Sequence, residues 1–432
     1  MSTELVAQAI PEGAERSRAL QKLGIICGLA AGAWLGGAEA PTKLVQTGVP
    51  PVVISLLMVI GVFLARWGLP TLVRGTGQIH RDAAAAPHLI VWAVLAGCIW
   101  AVANTLTIFA VRDIGLAIAF PLWNTNSLLG ILWGYVFFNE LRSAGWRRWL
   151  GVCGGALLMF AGALLLAEAS SSGEGGHSAA RGIIAALSAG VLWGTMYIPY
   201  RKAYLTGMNP LSFVTFFTFG ELGMMTAIAV TLSGGAGPLW HGIMEARGAL
   251  FWLMLGGFIW VIGDLFQQFA AKYVGISRGI PLSNTNQLWG LLWAILVFGE
   301  FRERELSVYA QVIGGSVLMA VGAGVISVSS AAEREREQWR QAADRECKRY
   351  GTDQEYVQAG FEGREAKDIG ARRSAADWAV MTLVAVIFCS LAWSARAPQI
   401  SVRWPLAIAF AVLLLAILAL CGLRLRRVTS FN

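Results

Sequence analysis

Apolar residues run along this chain in long blocks separated by short polar stretches, and block length sets the first expectation. A hydrocarbon core of about 30 Å needs about 20 apolar residues per helix. Blocks of that size fall near 22–40, 49–69, 88–111, 114–138 and 147–167, then 182–200, 210–232, 249–271, 274–298 and 307–328. Two more lie near 376–395 and 403–423. The pattern predicts an all-α integral membrane protein with a ten-helix body and a C-terminal two-helix hairpin. The first block is followed by others of its kind and by no small-residue cleavage site, so it reads as a transmembrane helix and not as a signal peptide.

One stretch is written twice. PLWNTNSLLGILWGYVFFNELR, Pro121 to Arg142, returns as PLSNTNQLWGLLWAILVFGEFR, Pro281 to Arg302, at a spacing of 160 residues. Pro121 falls on Pro281, Asn124 on Asn284, Asn126 on Asn286 and Glu140 on Glu300. Upstream, Gly32 and Gly36 fall on Gly190 and Gly194 at a spacing of 158. Two copies of one five-helix unit follow, and an odd number of helices places the second copy upside down, the inverted-repeat plan of many secondary transporters. The expected layout is an N-terminal cytoplasmic segment 1–21, a first repeat 22–167, a linker 168–181, a second repeat 182–328, a charged cytoplasmic segment 329–375 and the accessory hairpin 376–432.

Charge supports an inside N-terminus. Arg66, Arg74, Arg81, Arg142, Arg147, Arg148, Arg201, Lys202, Lys272 and Arg278 fall on the side of Arg16, Arg18 and Lys22, whereas the opposite side keeps Lys43, Arg112, Arg181, Arg247, Arg302 and Arg304. Both termini are then cytoplasmic, with a bacterial inner membrane as the expected location. The Ser/Gly-rich run EASSSGEGGH, residues 168–177, reads as the outer linker. In the charged segment, EREREQWRQAADRECKRY reads as a solvated helix, resting at most on anionic lipid.

Composition narrows the function classes. Hydrophobic residues make up 56% and charged residues 14%, with mean hydropathy +0.59, far from the ~25% charge of a soluble domain. The formal net charge of +8 comes from short loops between apolar blocks, so nucleic acid is not an expected partner. The 6 Cys are scattered singly and the 4 His are isolated, which leaves no disulfide framework and no metal site. No phosphate-cradling loop, HExxH or Ser/His/Asp grouping is present, so an enzyme is not expected and no cofactor is implied.

Candidate chemistry gathers where the copies match. With the fourth helix entered near Ile114 and the ninth near Val274, Asn124 and Asn284 each lie about ten residues in, or ~15 Å, at the bilayer midplane. Pro121 and Pro281, one turn earlier, each free a backbone carbonyl and loosen the helix. Asn is donor and acceptor at once, so Asn124, Asn126, Asn284 and Asn286, with Gln287, suit a polyhydroxylated neutral solute. Trp123, Trp133 and Trp293 offer aromatic faces for the apolar side of a sugar ring. The competing reading is interhelical glue, at ~0.6 kcal/mol per hydrogen bond on average. Buried acids are few. Asp264 and Glu221 lie within apolar blocks and Glu39 at the outer end of the first, and ionisable groups at depth are candidates for proton coupling. The bland alternative for Asp264 is pairing with Lys272 or an Arg, or bonding to Gln267 or Gln268. Glu140 and Glu300 end their helices, where a structural or gating pairing with Arg is expected.

At these residues a resemblance emerges. VGISRGIPLSNTNQLWGLLWAILVFGEF resembles the ninth-helix signature of the glucose/ribose porter family of the drug/metabolite transporter superfamily, through Gly275, Ser277, Pro281, Ser283, Gln287, Leu288, Gly290, Gly299, Glu300 and Phe301. LWGTMYIPYRK, Leu192 to Lys202, is similar to the first-helix signature of that family and of the rhamnose-proton symporters. The resemblance covers residues 22–328 and implies a carrier of sugars or related polar metabolites, driven by a cation gradient with H+ as the expected coupling ion. Trp123 and Ser127 stand in the first repeat where the second has Ser283 and Gln287, which leaves the substrate open. The expected function is a secondary active transporter working by alternating access. A carrier or exporter of another polar metabolite (a ureide, nucleobase or amino acid) and a non-transporting scaffold are the alternatives.

Overall fold

A computed structural model describes residues 3–38, 40–44, 50–170, 179–299, 305–329, 333–363, 373–398 and 402–431. The chain is an all-α, multi-pass integral membrane protein, and no strand occurs among the described residues. The helices are α1 (Thr3–Gly37), α2 (Ala40–Lys43), α3 (Pro51–Arg74), α4 (Thr76–Ala85), α5 (His88–Trp123), α6 (Asn126–Phe138), α7 (Trp146–Ser170), α8 (Ala179–Leu205), α9 (Pro210–Leu232), α10 (Ala236–Glu245), α11 (Leu250–Val274), α12 (Ile276–Ser283), α13 (Asn286–Leu292), α14 (Leu306–Val328), α15 (Glu333–Tyr350), α16 (Gln354–Glu362), α17 (Ala375–Ser394) and α18 (Trp404–Thr429). A π-helical turn, Trp293–Phe298, continues α13.

Local chemistry sets several starts. Asn209 caps α9 by accepting from the Leu211 N–H at 2.8 Å, with Pro210 in the first turn, where its missing N–H costs nothing. Ser374 and Asp377 form a reciprocal capping box at the start of α17. Asp377 also accepts from the Thr76 N–H and Oγ1, both at 2.7 Å, and so ties the hairpin to α4.

Ten helices among the described residues are long and apolar enough to cross a membrane. The expected fourth and ninth blocks are broken instead, at the repeated triplet. Helix α5 ends at Trp123 and α6 begins at Asn126, and α12 ends at Ser283 and α13 begins at Asn286. The blocks expected to part near residue 113 are one helix, α5, which runs on through Gly115. Its counterpart Gly275 takes φ +83° and separates α11 from α12. Glycine permits a break without compelling one, and here the second copy alone uses it.

The packing is reciprocal between the copies. A Cβ on Gly32 of α1 would lie 2.0 Å from Thr285 Oγ1, and one on Gly190 of α8 would lie 2.7 Å from Thr125 Oγ1. A Cβ on Gly36 would meet the Asn286 carbonyl at 2.4 Å, and one on Gly194 would meet Leu129 Cβ at 2.6 Å. The leading helix of each half thus lies backbone-close on the broken helix of the other. Further pairs are α3 with α11, α5 with α9, and α7 with α14.

The charged segment departs from expectation. Trp339, Ala342, Ala343 and Cys347 form one face of α15 and join the main apolar core, which also holds Tyr200, Ala203 and Tyr204. Four apolar residues at helical spacing supply enough burial to dock a helix whose other faces are charged. The hairpin lies outside the body, α17 against α3 and α18 against α1, where Cys421 Sγ is 3.7 Å from Cys27 Sγ.

Candidate functional site

The two broken helices meet. The Asn284 side-chain amide donates to Ser127 Oγ, and Ser127 Oγ donates to Asn126 Oδ1 at 3.3 Å, which joins the second triplet to the first. Each turn is stitched by its own threonine. Thr125 Oγ1 donates to the Leu122 carbonyl at 2.8 Å and Thr285 Oγ1 to the Leu282 carbonyl at 2.9 Å, so these hydroxyls serve the break. Ser283 Oγ receives the Gln267 amide at 2.6 Å, linking α11 to the second turn. Asn124 is buried in the first turn, and Asn286 Oδ1 is buried with no hydrogen-bond partner. Gln287 is half-buried at the start of α13.

The aromatic candidates separate. Trp123 is buried and meets Trp193 of α8 edge-on, centroids 6.1 Å apart. Trp133 is half-buried beside Phe137, and its Nε1 has no hydrogen-bond partner. Trp293 packs on Phe410 of the hairpin at 5.3 Å, so its face is taken by α18. Pro281 is buried within α12 and Pro121 lies within the last turn of α5. Glu39 and Glu300 lie outside the described residues.

A second polar centre lies among α3, α9 and α11. Arg66 Nη1 reaches Glu221 Oε2 at 2.5 Å and Arg66 Nη2 reaches Asp264 Oδ2 at 2.8 Å, all three fully buried. Three charges survive burial only when paired and hydrogen-bonded. Asp264 Oδ1 also accepts from Gln268 Nε2 at 2.7 Å, and Gln268 Oε1 accepts from Tyr204 OH at 2.6 Å. Phe217 and Trp260 flank the guanidinium at 4.4 and 5.4 Å. Glu221 Oε1 has no partner. Of the alternatives for Asp264, the structure selects an arginine together with Gln268. Arg66 therefore leaves the set of loop charges. Its place near the end of an apolar block made it look like a loop residue, yet it lies inside α3, where a lone arginine in an apolar run signals a partner.

Glu140 forms the third centre. It pairs with Arg201 Nε at 2.7 Å and accepts from the Ile276 N–H, the Ser277 N–H and Ser277 Oγ at 3.2, 2.9 and 2.6 Å. A carboxylate of the first copy thus caps α12 of the second, where helix N–H groups point outward without partners. A Cβ on Gly275 would lie 2.7 Å from this carboxylate, so the approach needs glycine there. Arg201 and Arg278 are also buried and not free loop charges; Arg278 donates to the Ser329 carbonyl at 2.8 Å. Sequence reasoning missed Arg66, Arg201 and Ser127 as site members because each acts through a partner far along the chain.

Beyond the bundle, Asp82 of α4 accepts from Gln78 Nε2 at 2.9 Å and from Tyr356 OH of α16 at 2.8 Å. Burial pushes its carboxyl above the usual range against the pull of these donors. Among the described residues no three of His, Cys, Asp and Glu gather as metal ligands.

Comparison with known proteins finds relatives named for sugar uptake. Residues 184–349 match the family model of sugar transport proteins, a stretch running from α8 through most of α15. A protein of Listeria innocua serovar 6a, named "Putative sugar uptake protein lin0215", is 25% identical over 243 residues, 55% of this chain and 78% of its own length. A Streptococcus pyogenes serotype M1 protein with the same kind of name is 33% identical over 123 residues, 28% of this chain and 38% of its own. A solved structure titled only as the crystal structure of a protein covers 71% of this chain and 97% of its own, with TM-score 0.46 and 17% identity. These relatives carry the names of transport proteins and not of enzymes, and over residues 184–349 the chain is similar to the sugar transport family.

Proposed function

We propose that this protein is a secondary active carrier that moves a sugar across the membrane by alternating access. The observation that carries the reading is the hydrogen bond from Asn284 to Ser127, which brings the two written-twice stretches together where each breaks its helix. Discontinuous helices that meet between inverted repeats are a recurrent substrate site of secondary carriers. The reciprocal packing of Gly32 on Thr285 and Gly190 on Thr125 supports the inverted 5+5 plan. Asn124, Asn126, Asn284 and Asn286 supply amides, Gln287 a further one, and Trp123 with Trp133 the aromatic faces; Trp293 has the weaker claim. A solute rich in hydroxyls exchanges its water for these groups with little penalty. The similarity to sugar transport proteins favours a sugar, and the ninth-helix signature favours the glucose/ribose porter family. An inner-membrane location with both termini inside completes the reading.

Proton coupling is placed at the Arg66 centre. Two ionised carboxylates on one guanidinium leave one net negative charge in a buried site, and a proton cancels it. Glu221 Oε1 is the oxygen of the pair that takes it, because Asp264 Oδ1 already accepts from Gln268. The other groups facing the pair are Tyr197, Tyr200 and Tyr204 of α8, with Cys98 of α5 bonded to the neighbouring Gly220 carbonyl.

Uptake of radiolabelled D-glucose and D-ribose into proteoliposomes, with and without an imposed proton gradient, tests both parts. Accumulation above the outside concentration only with the gradient is expected. Gradient-independent equilibration would remove the coupling, flux of amino acids or nucleobases alone would replace the solute, and no flux from folded protein would leave a scaffold.

A further inference from the structure

Segment 333–363 follows the last of the ten apolar blocks of the body, yet its contacts lead into the site. Several connections at one end of the bundle are bonded to one another. Asp82 of α4 accepts from the Asn209 N–H at 3.3 Å, Arg201 at the end of α8 holds the Ala271 and Lys272 carbonyls at 3.1 Å, and Arg278 of α12 holds Ser329 after α14. Helices α15 and α16 lie across this end. Trp339 is only 2% exposed and covers the Arg201 guanidinium at 4.2 Å. Gln338 accepts from Ser143 Oγ at 3.2 Å, Glu346 pairs with Lys202 at 3.0 Å, and Tyr350 stacks on His88 at 3.9 Å. Tyr356 closes the far edge on Asp82.

We propose that residues 333–363 are a latch that holds this end of the carrier shut. The connection runs from Trp339 to Arg201, from Arg201 to Glu140, and from Glu140 to the N-terminus of α12, eight residues before Asn284. Trp339 keeps water from the Arg201–Glu140 pair, and a pair kept dry is stronger than one in water. With the latch seated, α12 is pinned at its first turn and cannot swing from α6. With α15 lifted, Arg201 becomes hydrated, Glu140 loosens, and α12 opens a route to the triplets. The latch is bound by one apolar stripe, one cation–π contact and a rim of polar pairs, a set of contacts that releases as a unit.

This inference rests on the reading that Ser127 and Asn284 line the solute route, and the test separates the two. A Ser127→Cys reporter in sealed vesicles is labelled with a membrane-impermeant maleimide applied to the latch face or to the opposite face, and read by mass spectrometry of that peptide. Amide exchange at Ile276 and Ser277 is followed in parallel. Trp339→Ala should raise labelling from the latch face about tenfold, the order that a desolvated cation–π contact supports, with faster exchange at both amides. Trp339→Phe keeps a ring on the guanidinium and should restore slow labelling. Glu346→Ala, which leaves Trp339 in place, should give about a threefold rise, the order of a rim ion pair, and serves if Trp339→Ala does not fold. An unchanged rate in these variants, or an equal rise from both faces, overturns the latch. A reporter that never labels while Ile276 and Ser277 still respond overturns the route through Ser127 and leaves the latch standing.

Discussion

At the scale of single residues, several polar side chains of this protein are bonded to others far along the chain. Asn284 bonds Ser127, so Asn284→Ala and Ser127→Ala should each weaken sugar binding by up to about tenfold, the worth of one hydrogen bond at ~0.5–1.5 kcal/mol. Their double variant should lose less than the product, read by titration of the purified protein. Unchanged affinity in Asn284→Ala makes it packing. At the Arg66 centre, Glu221→Gln should abolish proton-driven accumulation and keep exchange, whereas Asp264→Asn should impair both, because Asp264 also anchors Gln268. Arg66→Ala strands two buried carboxylates and should cost ~3–5 kcal/mol, seen as failure to yield folded protein. Asp264 and Glu221 were legible as rare acids within apolar blocks. Arg66 was not, since an arginine near a block's end has the same sequence signature in a loop as in a buried pair.

At the scale of elements, each helix break is made by the triplet and held by glycines of the other half. Gly32→Leu drives a side chain into Thr285 and Gly190→Leu drives one into Thr125. Overpacking of this kind costs ~1–3 kcal/mol, and both variants should lose melting temperature by similar amounts, since the two contacts are counterparts. A drop confined to one would argue against the reciprocal arrangement. Gly275→Ala should do more harm, because it adds a Cβ at φ +83° and against the Glu140 carboxylate. Asp82 supplies a pH signature. Its carboxyl is raised by burial, so its contribution is full below the ordinary carboxylate range and is lost as pH rises through the raised value. The melting temperature of the wild-type protein relative to Asp82→Asn should therefore fall as pH rises above the ordinary carboxylate range, and a difference constant with pH would show that Asp82 does not contribute in this way. The prolines announced a loosening, yet they could not say that α5 would run unbroken through Gly115.

At the scale of the whole molecule, stretches written twice in the sequence surround a centre that is not repeated. Asp264 corresponds to Asn104 and Glu221 to Gly61 at the 160-residue spacing, so the ion triad exists once while the packing glycines exist twice. The C-terminal hairpin is bound from outside, with most of its surface facing away from the body. Truncation after Gly363 should lower the melting temperature and leave sugar flux intact, and loss of flux at preserved folding would move the hairpin into the machinery.

Apolar block length fixed the helical membrane class, the internal echo fixed which stretches correspond, and the scarcity of acids fixed which carboxylates to watch. Those properties are local: a helix must match the bilayer wherever it lies, and a buried charge is costly whatever its neighbour. Only the tertiary structure decided that Arg66 joins Glu221 to Asp264, that Glu140 caps a helix 136 residues away, and that a segment rich in charge docks by one apolar stripe. Each of these is a choice of partner, and partner choice depends on which helix faces come together in space.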